Sequence, residues 1–533
     1  MFVIFSDTLP EGPEVTLEAM LEARDRRAGR QRLMREAYGC ALVSFTLNIA
    51  GPVKTFPLAR QTFEEGKLQI SRQITRSHWT VAQEETTDQF TGYEALWAVY
   101  AAPLDLKLSM ASIEEWHPLG RLFDIDVIDP DGAGVNRGQA GFPERACLVC
   151  GKPGAGCARD RSHPLEEILK CSVSIMGDYF REVLAGRISH CAIRALLHEA
   201  CITPKPGLVD RANSGAHTDM NLFTFIDSGS ALGGYFHDVA LIGMAYPRAP
   251  AEEVLPRLRY RGLLAEDTML SATGGVNTHK GLIFSIGILC AALGQAYGEG
   301  QTASVRMPSA PENDSILEHD SILEQASTLE QAPKDSLSLD LDGLLARAGR
   351  LATPILGDLN SAMNNTGVLH SGAEQNNAEQ SGEIEQSGGG RSNAVTRGMA
   401  QYAKYGVTGV RGEAAAGFPS VRCWGLPVLE ARLSAGDSLN DAGVAALLSL
   451  MAHVTDTNIL SRSDMQTLED MQTGLTAYLK DSALPAEELI ALANELDERL
   501  IASNLSPGGC ADLLAITLAL YYMEQDGLFG QND

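Results

Sequence analysis

The chain has 533 residues, ten cysteines and a formal charge of −26, so it is too long for a single hydrophobic core, too poor in cysteine for a secreted disulfide framework and too acidic for a general nucleic-acid binder. Apolar residues make up 44% and aromatic residues 6%, a globular composition that favours helix. The N-terminus is only briefly apolar, and glycines and polar residues interrupt the most apolar run, 281–296; the expected setting is the cytoplasm, with no membrane and no nucleic acid as partner.

Residues 14–39 space Leu17, Leu21, Leu33 and Met34 at helical intervals, with Arg24, Arg26, Arg27, Arg30 and Arg32 between them, and predict an amphipathic helix. Residues 41–49, rich in β-branched and aromatic side chains and closed by Gly51-Pro52, predict a strand; 69–74 and 98–101 are weaker strand candidates. Alternation of helix and strand to about residue 145 predicts a small α/β or α+β domain. Within it, GRLFDIDVID at 120–129 puts Asp124 and Asp126 on one face of a strand, where both carboxylates can grip one divalent cation. The competing reading is an acidic strand end before the turn Asp129-Pro130-Asp131-Gly132. Residues 145–167 then bring Cys147, Cys150, Cys157 and His163 at spacings that suit a zinc site. Alternatively, the cysteines cap a turn while Arg145, Lys152, Arg159, Arg161 and His163 form a cationic rim.

The character changes to helical near Cys171, and 168–200 predicts a helix leading into the loop 203–230, where Pro204, Pro206 and Gly207 sit among Lys205, Asp210, Arg211, His217, Asp219 and Asp227. Helices are predicted over 231–244 and 256–270. The glycine-rich turn 271–281 carries Asn277, His279 and Lys280 to the start of an apolar helix, a seat for a phosphate or a plain N-cap. Residues 298–336 and 364–392 are acidic, repetitive and poor in apolar side chains, and read as disordered inserts around a short helix over 337–363. Three more polar turns follow at 405–421 (Arg411, Glu413), 452–461 (Asp456, Asn458) and 502–513 (Asp512). Several such turns on a helical scaffold are what a site assembled from loops requires.

The arginine-rich helix, GRLFDIDVID and RACLVCGKPGAGCARDRSHPLEE resemble the holo-acyl-carrier-protein synthases of citrate lyase, which are phosphoribosyl-dephospho-CoA transferases. The stretch TPKPGLVDRANSGAHTDMNLFTFIDSGS and the later turns resemble triphosphoribosyl-dephospho-CoA synthases. The resemblance implies a multidomain fusion: an N-terminal α/β, nucleotidyltransferase-like domain over 1–170 and a mainly all-α domain over 171–533 with low-complexity insertions. The second half is then expected to join ATP and 3′-dephospho-CoA with release of adenine. The first would transfer phosphoribosyl-dephospho-CoA to a serine of the apo acyl carrier (gamma) subunit, releasing diphosphate.

For the transferase the resemblance implies Mg²⁺ on Asp124 and Asp126, with Arg121, Arg137 and Arg145 as charge partners. For the synthase it implies Asp210, Asp219, Glu413, Asp456 and Asp512 as candidate carboxylates. Lys205, Arg211, Lys280 and Arg411 would bind phosphates, and His217, Asn277, His279 and Asn458 would complete the substrate contacts. Two alternatives stand beside this: the same chemistry serving malonate decarboxylase, and a C-terminal half that only binds the precursor.

Overall fold

A computed structural model describes residues 9–303, 339–357, 402–480 and 484–530. The chain divides into two compact units, Met1–Leu184 with Gly300–Arg306, and Ala185–Glu299 with Met307–Asp533. The inserts expected at 298–336 and 364–392 lie outside the described residues, apart from 298–303, which continue a helix.

The first unit is built on an antiparallel sheet. Helix α1 (Leu17–Tyr38) starts where Thr16 accepts the Ala19 N–H and stops at Gly39 with φ 61°. Strand β1 (Ala41–Leu47), α2 (Pro57–Arg76), β2 (Thr80–Gln89), β3 (Gly92–Tyr100), α3 (Pro103–Trp116), β4 (Phe123–Ile128) and β5 (Gly134–Val135) follow, giving the strand order β2-β3-β1-β4-β5. The expected strands at 41–49 and 98–101 fall on β1 and β3, but 69–74 lies inside α2: Ile70 and Ile74 are one helical turn apart, and both are buried. Strand β2, exposed along most of its length, lacks the one-sided apolar alternation that marks a half-buried strand.

The two faces of the sheet differ in chemistry. Val43, Phe45, Trp97, Phe123 and Ile125 line one face, where Phe45 stacks on Phe63 of α2 at 5.1 Å. Gly66 allows that approach, since a Cβ there would lie 2.3 Å from the Phe45 ring. The other face alternates Leu42, Ser44 and Thr46 with Asp124, Asp126 and Glu94, and it receives α1. This corrects the expected apolar face of α1, because Leu17, Leu21 and Leu33 are 77%, 53% and 63% exposed and only Ala23 and Met34 are buried. The sheet offers carboxylates, so the arginine side of α1 turns inward: Arg27 and Arg30 pair with Glu94, Arg30 also with Glu85, and Gln31 Nε2 donates to Ser44 Oγ at 2.9 Å.

After the short helix α4 (Gly154–Asp160), α5 (Leu165–Cys201) runs without a break through the point where composition changes. The second unit is helical: α6 (Leu222–Ala231), α7 (Gly233–Ala245), α8 (Ala251–Ala272), α9 (Lys280–Ala303), α10 (Leu341–Ala352), α11 (Gly409–Ala415), α12 (Leu426–Ser434), α13 (Leu439–His453), α14 (Thr457–Arg462), α15 (Met465–Tyr478), α16 (Ala486–Ala502) and α17 (Gly508–Gln525). The helix expected over 231–244 is α7, and Leu232 parts it from α6, which occupies the end of the segment expected as a loop over 203–230. The segment Lys280–Gly300 is long and apolar enough to cross a membrane, yet 78% of it is buried inside the protein.

Glycines set the spacing between α7 and α9. A Cβ on Gly243 would lie 2.1 Å from the Ala291 carbonyl oxygen, and one on Gly294 would lie 2.2 Å from that of Ala240. Neither backbone can yield without moving a helix. Gly243→Ala should therefore destabilise the protein by about 1–3 kcal/mol despite its better helix propensity. A lowered midpoint in thermal unfolding checks this; an unchanged or raised midpoint would show that the helix crossing is loose.

Candidate functional site

In the first unit the site begins with the register of β4 on β1. Asp126 pairs with Ser44 and Asp124 with Thr46, which stacks two carboxylates and two hydroxyls on one face of the sheet. The outer edge of β4 is sealed from α3, because the Ile125 N–H donates to Glu114 Oε1 at 2.9 Å and the Ile125 carbonyl accepts from Lys107 Nζ at 2.7 Å. Both side chains are buried, so the strand carrying the aspartates is held rigidly. Both aspartates open to solvent, but dense packing around Asp126 and the adjacent Asp124 carboxylate raise the Asp126 carboxyl above the usual range.

Arg145 reaches this pair. Its guanidinium donates to the Gly120 carbonyl at 2.9 Å and to that of Phe123, and it stands 3.6 Å from Asp124 Oδ1 and 3.6 Å from Glu114 Oε1. Arg121 lies in the same region with Nε and Nη1 buried and without a hydrogen-bond partner. Desolvation and the neighbouring Arg145 lower its pKa, against the pull of Glu114, and two of its donors stay unsatisfied in the pocket. Arg137, by contrast, is occupied by Glu114, Glu115, the Pro143 carbonyl and the Phe142 ring. Across β1, Arg24, Arg27, Thr46, Lys54, Tyr93 and Glu94 border a cavity of 280 Å³. Lys152, Arg159 and Arg161 are exposed, whereas Cys147, Cys150, Cys157 and His163 gather with their ligand atoms within 4.8 Å of one another.

In the second unit the loop after α5 is held by its own polar groups. Asp210 accepts the N–H groups of Lys205, Ala212 and Asn213 at 2.9, 2.7 and 3.0 Å. Asp497 accepts from Gly207 N and Asn213 Nδ2, both at 2.8 Å. Arg211 is turned outward and bonded to Thr203 Oγ1 and Asn440 Oδ1. His217 Nε2 lies 2.9 Å from Ser506 Oγ, and the exposed Asp219 stands 3.9 Å from His217 Nδ1. Asp210 and Arg211 thus shape the loop, and the loop in turn buries Lys205 against Glu199.

That buried ion pair opens the central constellation. The field of Lys205 and, above all, desolvation push His279 down to about 3, so its imidazole is neutral at physiological pH. Thr278 Oγ1 donates to Ser228 Oγ at 2.7 Å, and Ser228 Oγ shares a hydrogen bond with His279 Nδ1, also at 2.7 Å. The second ring nitrogen, Nε2, is buried without a partner. Two residues on from His279, Gly281 lets the Asp512 carboxylate come close, since a Cβ there would lie 2.1 Å from Asp512 Oδ2. Asp512 is half-buried. Desolvation, Glu199 and Asp456 raise its carboxyl well above the usual range, and no hydrogen bond holds it among the described residues.

The other expected carboxylates are already engaged. Asp456 caps α14, accepting from Asn458 N and Ile459 N, and also takes the Cys510 N–H at 2.8 Å. Glu413 accepts from Ser420 N and Oγ. Asn458 and Asn277 are exposed, and Asn458 packs against Gly508. Lys280 Nζ meets Glu266 Oε2 at 2.8 Å, and Arg411, lowered by burial, feels the same carboxylate. Glu199 and Glu266 were not among the expected site residues. Glu199 continues the buried stripe Ile188, Cys191, Ala192, Ala195, Leu196, a periodicity that marks it as a carboxylate on an apolar face; Glu266 carries no such signal.

Comparison with known proteins divides the chain in the same sense. Residues 15–179 match the family described as apo-citrate lyase phosphoribosyl-dephospho-CoA transferase. Residues 185–323 and 361–529 match the family described as ATP:dephospho-CoA triphosphoribosyl transferase. The chain is 31% identical over 518 residues to Protein CitXG of Haemophilus influenzae, covering 96% of this chain and 97% of that one. It is 28% identical over 523 residues to Protein CitXG of Leuconostoc mesenteroides subsp. cremoris, covering 96% and 98%. Its helical part is similar to the 2-(5″-triphosphoribosyl)-3′-dephosphocoenzyme-A synthase of Haemophilus ducreyi, at 32% identity over 373 residues, covering 69% of this chain and 98% of the relative. The chain belongs to the family of bifunctional transferases in which an apo-citrate lyase phosphoribosyl-dephospho-CoA transferase is fused to an ATP:dephospho-CoA triphosphoribosyl transferase, and it is an enzyme of citrate lyase prosthetic-group synthesis.

Proposed function

We propose that the helical half uses Asp512 as the reacting carboxylate when the 2′-hydroxyl of 3′-dephospho-CoA attacks the ribose C1 of ATP. One C–O bond forms, the bond to adenine breaks, and the hydroxyl proton passes to Asp512. A carboxylate of raised pKa with uncaptured oxygens suits a general base, whereas Asp210, Asp456 and Glu413 spend theirs on backbone and hydroxyl donors. With Ser228 donating to Nδ1, the Nε2–H of His279 is a neutral donor for the leaving base or a ribose oxygen. Lys205, Lys280 and Arg411 supply cationic charge for the triphosphate, with Glu266 holding the last two until substrate arrives.

In the α/β half, the carrier serine attacks the innermost phosphorus of the triphosphoribosyl group and diphosphate leaves. Asp124 and Asp126 would hold Mg²⁺; two adjacent carboxylates beside two hydroxyls on one strand face suit a hard cation. When bound, the metal offsets charge on the phosphates. Arg145 and Arg121 orient the leaving diphosphate, and the cavity beside β1 takes the dephospho-CoA portion. The protein substrate is an acyl carrier protein, here the gamma subunit of citrate lyase. The chain then works in a reducing cytoplasm, where its ten cysteines stay free of disulfides.

The observation that carries this reading is that each half holds its own charged site with spare valence: Arg121 in one, Asp512 in the other. The test is to incubate the purified protein with ATP, dephospho-CoA and either apo carrier. Adenine and diphosphate should appear in equal amounts with a mass gain on the citrate lyase carrier. Faster modification of a malonate decarboxylase carrier would reassign the pathway, and binding of ATP without adenine release would reduce the helical half to a store for the precursor.

A further inference from the structure

We infer that Cys147, Cys150, Cys157 and His163 bind one structural zinc ion, which fixes the segment carrying Arg145 beside the aspartate pair. The four ligand atoms come from three pieces of backbone, and the fold brings them together. Cys147 and Cys150 sit on a tight turn: the Cys147 N–H donates to the Lys152 carbonyl at 2.6 Å, the Gly151 N–H donates back to the Cys147 carbonyl at 3.1 Å, and Gly151 has φ 71°. That turn is where only glycine is unstrained, and it points two thiols to one side. Cys157 comes from α4. Arg161, at φ 48°, ends that helix, and the Ser162 N–H bonds back to the Cys157 carbonyl, so the chain doubles over and returns His163 to the thiols.

The distances suit a metal better than a disulfide. Cys150 Sγ and Cys157 Sγ lie 3.5 Å apart, well beyond a sulfur–sulfur bond of about 2.05 Å. It is close to the edge of a tetrahedron whose zinc–sulfur bonds are about 2.3 Å. All four ligand atoms lie within 4.8 Å of one another. The histidine supplies the second, independent indication. Its Nδ1 is 3.4 Å from Glu167 Oε2, while its Nε2 is buried with no hydrogen-bond partner. A carboxylate behind one ring nitrogen and a bare lone pair on the other is the usual outer arrangement of a metal-ligating histidine.

Four protein ligands leave no open position, which makes the site structural rather than catalytic. The segment needs such a clasp, since α4 buries no residue and Glu144 accepting the Ala155 N–H is among the few bonds that tie it together. Arg145 lies two residues before the first ligand and contacts both Asp124 and the Phe123 carbonyl. Binding converts the three thiols to thiolates and releases their protons to solvent.

Full-length protein, purified with reductant and without chelator, should contain one zinc per chain by elemental analysis. Cobalt added to the stripped protein should give the absorption of tetrahedral thiolate-bound cobalt. Cys150→Ser with Cys157→Ser should lose both signals, and Glu167→Gln should retain the ion with about 10–100-fold weaker affinity. Asp124→Asn, which touches no ligand, should keep full zinc content, and an unchanged circular-dichroism spectrum reports that each variant has folded. Zinc-free protein that shows no cobalt spectrum, or a double variant that keeps its zinc, would overturn the inference.

Discussion

Asp124→Asn and Asp126→Asn should each slow carrier modification by about two to four powers of ten, while adenine release by the same preparation stays at the wild-type rate. Both substitutions preserve shape, and the affected side chains are open to solvent on β4, so the strand should fold as before. What they remove is charge at the place where a cation would be held against the phosphates. The pH profile adds a signature that a structural role would not produce. Because desolvation and Asp124 raise Asp126, the acid limb of the transfer rate should lie above the range of an ordinary aspartate, and Asp124→Asn should move the remaining limb back toward acid. Carrier modification near the wild-type rate in both variants would assign the pair to a turn-capping role.

Asp512→Asn should abolish adenine release to a similar degree, about two to four powers of ten, the usual contribution of a general base, and should not destabilise the fold. The sign of the stability effect follows from the raised carboxyl. Between the ordinary aspartate pKa and the raised one, the folded chain binds a proton that the unfolded chain has released, so stability falls as pH rises through that window. Above it, ionised Asp512 beside Glu199 and Asp456 opposes folding, and the amide relieves that repulsion. The variant's thermal midpoint near neutral pH should therefore equal or exceed that of wild type. A dead variant with a strongly lowered midpoint would place Asp512 among the residues that hold α17 against α9.

The aspartate pair was legible because strand alternation alone puts Asp124 and Asp126 on one face. The zinc-type spacing of Cys147, Cys150, Cys157 and His163 was equally plain, since the ligands lie within one short segment. The five carboxylates of the helical half could not be ranked from sequence, because rank depends on which oxygens meet backbone N–H groups. Asp210 and Asp456 are consumed by donors that only the folded turns present. The orientation of α1 failed for a related reason: its leucines promised an apolar contact, but Glu85 and Glu94 on strands far along the chain turned its arginines inward. Glu199 was visible in principle, at an interval that belongs to a buried stripe.

The central claim is that the two reactions belong to two sites in separate halves of one chain. Mixing Asp124→Asn protein with Asp512→Asn protein tests it, with ATP, dephospho-CoA and apo carrier present and the intact mass of the carrier as readout. Each variant alone should leave the carrier unmodified. Together they should add one phosphoribosyl-dephospho-CoA, because the first still makes the precursor and the second still transfers it. A carrier that stays unmodified while the mixture releases adenine would contradict this division of labour.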